Sequence, residues 1–415
     1  MRGSSYDVVV VGSRVAGSSL AYELSKEGYE VLLVDRNTFP SDTLSTHNMF
    51  NNTVIMLREM GVLDRLLETN TPTYRRARVE FGPSVIDGMI PEIDGESRCL
   101  CIRRTYLDHI LLEHAKSQPG VTGIEGFRVT DLVTEGGEVR GVIGRHRDGR
   151  QETFEAKLVV GCDGRLSAIR QLAASERKLA IPTDFASYVG YVAGYKQEGE
   201  RHVEFYKWDD KLFIAFPTSD DLFVVGVMFP LTSQAWLERF KSDAELSFRQ
   251  IVAEGFPHTS LPARLSEVRF VEQIKGLHGY DNDWYQGMGR GWALLGDALT
   301  FKDPAVGQGI HDAIYGSRTL TRILTQTGRE NWSSSWDAMS QAYQAEMETK
   351  LMSRFHMGCQ LTKNVHVSAE EAAVNRLIGS DVEATRTFLG LYNYTREPAD
   401  LEREIGRLLS GMSQV

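Results

Sequence analysis

The chain has 415 residues, of which 42% are hydrophobic and 25% charged, and a formal net charge of −10. That length allows two or three domain-sized units with a sizeable core, while the acidic balance argues against a nucleic-acid partner, which needs a basic surface. No stretch approaches the roughly 20 apolar residues of a membrane span, the polar start up to Asp7 is no signal peptide, and the four cysteines show neither a CxxC pair nor a zinc spacing, so a metal-free protein of the reducing cytoplasm is the expectation.

In chain order, Val8 to Val11 is a β-branched run of the kind expected of a parallel strand covered on both faces. The turn Gly12-Ser13-Arg14-Val15-Ala16-Gly17 follows, then a helix over 18–27 closed by Gly28, then a buried strand from Val31 to Val34 ending in Asp35-Arg36. Gly12 permits the tight turn, Gly17 lets the helix approach the sheet, and the helix N-terminus faces a pyrophosphate. Asp35 stands where an acid accepts hydrogen bonds from an adenosine ribose. Arg14 takes the place of the glycine that normally lets backbone approach phosphate. A purely structural turn is therefore the competing reading.

Helices are expected over 53–69 and 104–116, and strands and turns over 129–156. A buried strand, Leu158 to Val160, then enters Gly161-Cys162-Asp163-Gly164-Arg165, a turn that suits the side of a dinucleotide or a simple Asp163 cap. From 185 to 272, recurring aromatics between polar turns predict a mainly antiparallel sheet. Trp292 to Leu295 is again a strand, running into Gly296-Asp297-Ala298 and then Asp303-Pro304-Ala305-Val306-Gly307-Gln308-Gly309. Asp297 can accept from a ribityl hydroxyl, Gly307 and Gly309 admit a flat ring close to the backbone, and the helix opening near Ile310 aims its positive end at that ring. Beyond it the pattern is helical, apart from a polar break over 331–335.

Together, these three stretches resemble the FAD-dependent monooxygenases of the para-hydroxybenzoate-hydroxylase type, whose dinucleotide fold, DG motif and GD motif they match over most of 6–325. Some relatives carry arginine within a GARxAG turn. The resemblance implies an α/β fold: a Rossmann-like FAD-binding domain (1–75, 98–178, 285–330), an inserted mainly antiparallel β-sheet substrate domain (76–97, 179–284) and C-terminal helices (331–415). It implies FAD contacts at Gly12, Arg14, Gly17, Asp35, Arg36, Arg104, Asp163 and Asp297, and ring contacts at Pro304, Gly307, Gln308 and Gly309. Arg104 matches through Arg104-Thr105-Tyr106-Leu107. The histidine frequent after the family's GD pair is missing, with Leu299-Thr300 in its place.

The implied chemistry is reduction of FAD by NADH or NADPH, addition of O₂ to give a flavin C4a-hydroperoxide, and hydroxylation or epoxidation of a flat hydrophobic, aromatic or natural-product substrate. His47, in the segment Pro40 to His47 that by resemblance passes near the flavin, is the catalytic candidate: it could bind substrate, deprotonate a phenol or hydrogen-bond the cofactor. Lys302 and His311 are weaker candidates. Tyr188, Tyr191, Phe205, Phe213 and Phe216 offer an apolar substrate roof, with ordinary sheet core as the alternative. Four other functions compete: a geranylgeranyl-reductase-like alkene reductase, a flavin halogenase, a hydride-removing oxidase or dehydrogenase, and a flavin-binding partner or redox sensor. The halogenase signature Trp-x-Trp-x-Ile-Pro is absent, the matching stretch reading Leu212-Phe213-Ile214-Ala215-Phe216-Pro217. The assembly is expected to be a monomer or homodimer.

Overall fold

In the computed structural model, residues 5–43 and 45–412 are described; the expectations for residues 1–4 and for Leu44 lie outside them. Strand Ser5–Val11 is central to a parallel sheet, flanked by Val31–Asp35 and Gln151–Gly161 and extended by Val121–Glu125 and Trp292–Leu294. Val8, Val9, Val10, Leu32 and Leu33 are fully buried. Two covered faces leave no position for a polar side chain, which is why the run is uniformly apolar. Helix Val15–Lys26 forms the crossover between the first two strands and packs against helices Arg104–Lys116 and Gly309–Thr327. Two antiparallel strands, Phe127–Glu135 and Glu138–His146, continue the sheet beyond Gln151–Gly161.

The second sheet runs Arg269–Phe270, Phe185–Ala193, Leu222–Pro230, Lys211–Thr218, Val203–Trp208, Arg76–Phe81, Ser84–Met89. Its pairs are antiparallel except where Val203–Trp208 meets Arg76–Phe81. The stretch after Pro230 departs from the expected strands and forms helices Gln234–Ser242, Ala244–Gly255 and Leu261–Ser266. There the apolar spacing changes from two to three or four, as in Phe248, Ile251 and Val252, which are fully buried. These side chains join Phe213, Phe229 and Phe256 on the outer face of the sheet. Each such burial stabilises by roughly 1.5–3 kcal/mol.

Two helix boundaries also differ from expectation. The helix expected over 53–69 is divided into Asn51–Glu59 and Leu63–Leu67, because Gly61 at φ 73° ends the first in a left-handed turn. The break expected over 331–335 falls earlier, where Gly328 at φ 76° closes Gly309–Thr327, and Trp332–Leu361 begins inside the expected break. Helices Ala369–Ser380, Val382–Gly390 and Pro398–Met412 complete the chain. Val382–Gly390 packs on strand Ser84–Met89, at the far edge of the second sheet.

Candidate active site

The nucleotide end is built on close approaches. A Cβ on Gly12 (φ 103°) would lie 2.4 Å from the Cys162 carbonyl oxygen, and one on Gly17 would lie 1.7 Å from the Gly12 oxygen. Both positions therefore require glycine, whatever is bound. Asp35 is buried and accepts from the Ser13 N–H at 2.7 Å and the Asn37 N–H at 2.8 Å, which fixes the turn. Arg36 is exposed and makes no hydrogen bond or ion pair among the described residues. Helix Val15–Lys26 has no side-chain cap and no acid in its first turn. Its leading N–H groups are thus left for an anion.

Arg14 is not an open gap in this turn. Its guanidinium pairs with Asp108 and donates to Ser41 Oγ and the Asp42 carbonyl, each at 3.0 Å. Arg104 binds the other oxygen of Asp108, at 2.8 Å. Arg14 thus ties the segment after the second strand to helix Arg104–Lys116, while Arg104 pairs with Asp108 within that helix. Asp163 also works locally: its carboxylate accepts from Ser167 Oγ at 2.5 Å and from the Ala168 and Ile169 N–H groups at 2.7 and 3.2 Å. The competing reading of Asp163 as a helix cap describes what its oxygens do.

Asp297 behaves differently. Its residue is exposed to the cleft it lines and has no hydrogen bond among the described residues, while the protein crowded around the cleft removes enough water to raise its carboxyl to about 6, with Arg104 the main opposing charge. An acceptor left open in such surroundings fits a hydroxyl-bearing ligand such as a ribityl chain. The neighbouring loop is anchored from beneath. Asp303, fully buried, accepts from the Ala305 N–H at 2.8 Å and from the Tyr280 hydroxyl, while its own N–H donates to Asn282 at 2.7 Å. Gly307 adopts φ 65°, and a Cβ there would meet Asn48 Nδ2 at 2.7 Å. Around Gly309, where helix Gly309–Thr327 begins, a Cβ would meet nothing within 4 Å. A flat ring could lie along this loop with the helix N-terminus directed at it.

Lys302 lines the cleft together with Asp297, Thr300 and Gly309, and with His311, which does not line it, also holds the loop. Lys302 pairs with Asp312 at 2.7 Å and donates to Gln308 Oε1 at 2.9 Å, and His311 Nδ1 contacts Asp312 at 3.0 Å. Gln308 Nε2 donates to the Tyr392 carbonyl at 3.2 Å, and the Tyr394 hydroxyl donates to Asp312 at 2.7 Å. Burial alone would raise the Asp312 carboxyl, but Lys302 and His311 hold it well below the usual range.

His47 is buried at φ 56°, and its Nε2 hydrogen-bonds the Tyr191 hydroxyl. Its Nδ1 has no partner among the described residues. Burial, reinforced by Arg104 and Arg103, lowers its conjugate acid to about 3. An imidazole so weakly basic is poorly suited to deprotonating a phenol at neutral pH. Arg103 lies over the Tyr191 ring at 4.6 Å and pairs with Asp220 and Glu272, closing this corner. The segment is joined to the glycine loop where Thr46 Oγ1 donates to the Pro304 carbonyl at 3.0 Å.

The aromatic roof needs correction. Tyr191, Phe205 and Phe216 lie on the inner face of the second sheet, and Phe205 and Phe216 border a cavity with Ala305, Val306 and Gly307. Tyr188 and Phe213 lie on the outer face, where Tyr188 stacks on Phe240 at 4.0 Å and Phe213 meets Phe248 and Phe256. Strand alternation is the reason: 188 and 191, like 213 and 216, are an odd number of residues apart and point to opposite faces. The cavity, about 480 Å³ with its open mouth, is completed by Asn48, Phe50, Ile90, Leu389 and Tyr392. Asn48, Phe50, Ile90 and Tyr392 were not identified from sequence, and Leu389 stood out only as an apolar position of the C-terminal helices. They come from three distant segments, and no motif marks them.

With fold and site described, the class is defined: residues 5–352 match the FAD binding domain family, and the chain belongs to it. It is a flavin-dependent oxidoreductase of the para-hydroxybenzoate-hydroxylase-like monooxygenase class. Among particular relatives, it is 26% identical over 340 residues to 6-methylpretetramide 4-monooxygenase of Streptomyces rimosus, covering 78% of this chain and 76% of that one. It is 24% identical over 324 residues to squalene epoxidase 1 of Arabidopsis thaliana, covering 77% of this chain but only 59% of that one. In fold it is similar to the myxobacterial chondrochloren halogenase, with a TM-score of 0.77, 21% identity, and coverage of 97% and 95% of the two chains. Among the described residues, no helix is long and apolar enough to cross a membrane.

Proposed function

We propose that this enzyme takes NADH or NADPH and O₂ and hydroxylates or epoxidises a flat hydrophobic molecule, aromatic or of natural-product type. The observation that carries this reading is the apolar cavity between the Ala305–Gly307 loop and the inner sheet face with Phe205 and Phe216. Its size and apolar lining suit a small multi-ring substrate. The name of the Streptomyces relative gives independent support for oxygenation.

In this reading FAD would be held by the N-terminal amides after Gly12, by Asp35 and Arg36 at the adenosine end, by Asp297 at the ribityl chain, and by the loop Pro304 to Gly309 at the ring. FAD, once reduced, supplies the activation of oxygen. The chain's own residues bind, orient and exclude water. Arg14, Arg104 and Asp163 brace the turns, and the helix starting at Gly309 favours negative charge in front of it. His47 and Tyr191 fix the wall of the site through hydrogen bonding, with His47 neutral at physiological pH. The aromatic wall holds the substrate and keeps bulk water out.

A purified, FAD-loaded preparation tests this by NADH and NADPH consumption with and without O₂ across a panel of aromatic and polyene compounds. Oxygen-dependent, substrate-stimulated consumption is the expected result. Anaerobic alkene reduction in its place would favour the reductase, and halide-dependent product the halogenase.

A further inference from the structure

Asn48 is the polar exception in the wall of this cavity. Its residue is 2% exposed, and its Nδ2 has no hydrogen-bond partner among the described residues. The Tyr74 hydroxyl donates to its Oδ1, which fixes the amide with the NH₂ group turned the other way. That NH₂ group is the atom nearest to where a Gly307 side chain would begin, at 2.7 Å. Asn48 and Gly307 both border the cavity. A buried donor without an acceptor is costly, and native structures rarely keep one without a use.

The other polar side chains around the cavity are differently placed. Arg78 is bound by Glu80 at 2.6 Å and Asp87 at 3.1 Å. Glu204 is held by Arg264 at 2.7 Å and accepts from the Tyr195 hydroxyl at 2.6 Å. Tyr392 has a phenol with no hydrogen bond, but the hydroxyl group can both donate and accept and so does not select for acceptors. Only the amide of Asn48 presents a fixed donor.

We propose that Asn48 is the specificity-determining anchor of the substrate cavity, donating from Nδ2 to an oxygen acceptor on the substrate, with Tyr74 as the positioning residue that holds the amide in that sense. The inference rests on the cavity being the substrate site. It narrows the substrate class to flat hydrophobic molecules bearing a carbonyl, quinone or enolate oxygen at the edge that meets the glycine loop. A pure hydrocarbon would leave the donor unpaired.

The test uses FAD-loaded protein and a matched pair of tricyclic probes, xanthone with a ring carbonyl and xanthene without it, titrated by the change in flavin absorbance. No turnover is needed, so the outcome is separate from whether the enzyme oxygenates. Wild type is expected to bind xanthone roughly five- to tenfold tighter than xanthene. Asn48→Asp keeps the acceptor for Tyr74 while removing the donor, and is expected to abolish that preference with xanthene affinity retained. Should Asn48→Asp fail to load FAD, the double variant Asn48→Leu/Tyr74→Phe, which leaves neither polar partner behind, replaces it with the same expected result. Tyr74→Phe alone is expected to reduce the preference without eliminating it. Absence of the preference in wild type, its persistence in both Asn48 variants, or its loss in Tyr392→Phe alone would each overturn the assignment.

Discussion

The two faces of the second sheet carry similar aromatic content and do different things. On the outer face, Tyr188, Phe213 and Phe229 are closed over by three short helices and fill the space between. On the inner face, Phe205 and Phe216 border, with a glycine loop and the end of a C-terminal helix, an open cavity, while Tyr191 on the same face meets His47 and Arg103. The difference lies in what covers each face. A helix with apolar residues at three- and four-residue spacing fills a groove, whereas backbone carrying Gly307 leaves room for a ligand.

Substitutions across the two faces sharpen or break that contrast. Phe213→Ala should cost about 3–5 kcal/mol in chemical denaturation, since it opens a void in a packed layer, while any correctly folded fraction keeps its probe selectivity. Asp297→Asn, in the neighbouring cleft, should weaken FAD binding by about 1.5–3 kcal/mol, the range for a hydrogen bond to a charged group. Phe216→Ala should cost less stability, about 2 kcal/mol, because its ring already borders open space, but it should raise the substrate KM and the share of reductant lost to hydrogen peroxide. Smallest are the tyrosines. Tyr191→Phe removes the bond to His47, for about 1 kcal/mol, and Tyr188→Phe should fall within about 0.5 kcal/mol. Equal effects of Phe213→Ala and Phe216→Ala on KM would erase the distinction between the faces.

The Asp297 carboxyl also gives a pH dependence of definite sign. Its value of about 6 lies above the ordinary value of 3.8, so without ligand the folded state loses stability as pH rises from about 4 to 6. FAD that accepts the ionised form as partner binds fully above 6 and progressively worse below it. Affinity measured by flavin fluorescence should drop roughly tenfold between pH 7 and pH 5, and Asp297→Asn should flatten the curve. A pH-independent affinity in the wild type would remove Asp297 from the FAD site.

The nucleotide half was legible because its constraints are local. Gly12 and Gly17 are set by carbonyls that a Cβ would strike, the valine run by burial on both faces, and Asp35 by the end of the next strand. Arg14, a blemish in the turn by sequence, proves to be a brace, since Asp108 lies 94 residues away and no spacing rule links them. The cavity was only half legible. Alternation alone separates Tyr188 from Tyr191 and Phe213 from Phe216, a rule within reach of the sequence. The positions of Asn48, Leu389 and Tyr392 depend on how three remote segments converge, and local periodicity carries no information on that.

The measurement closest to the central claim is mass spectrometry of the product formed by FAD-loaded enzyme, reductant and substrate under oxygen-18 gas. One labelled oxygen in the product is predicted, with none from solvent water. A product that gains two hydrogens, or carries only solvent oxygen, would contradict the account.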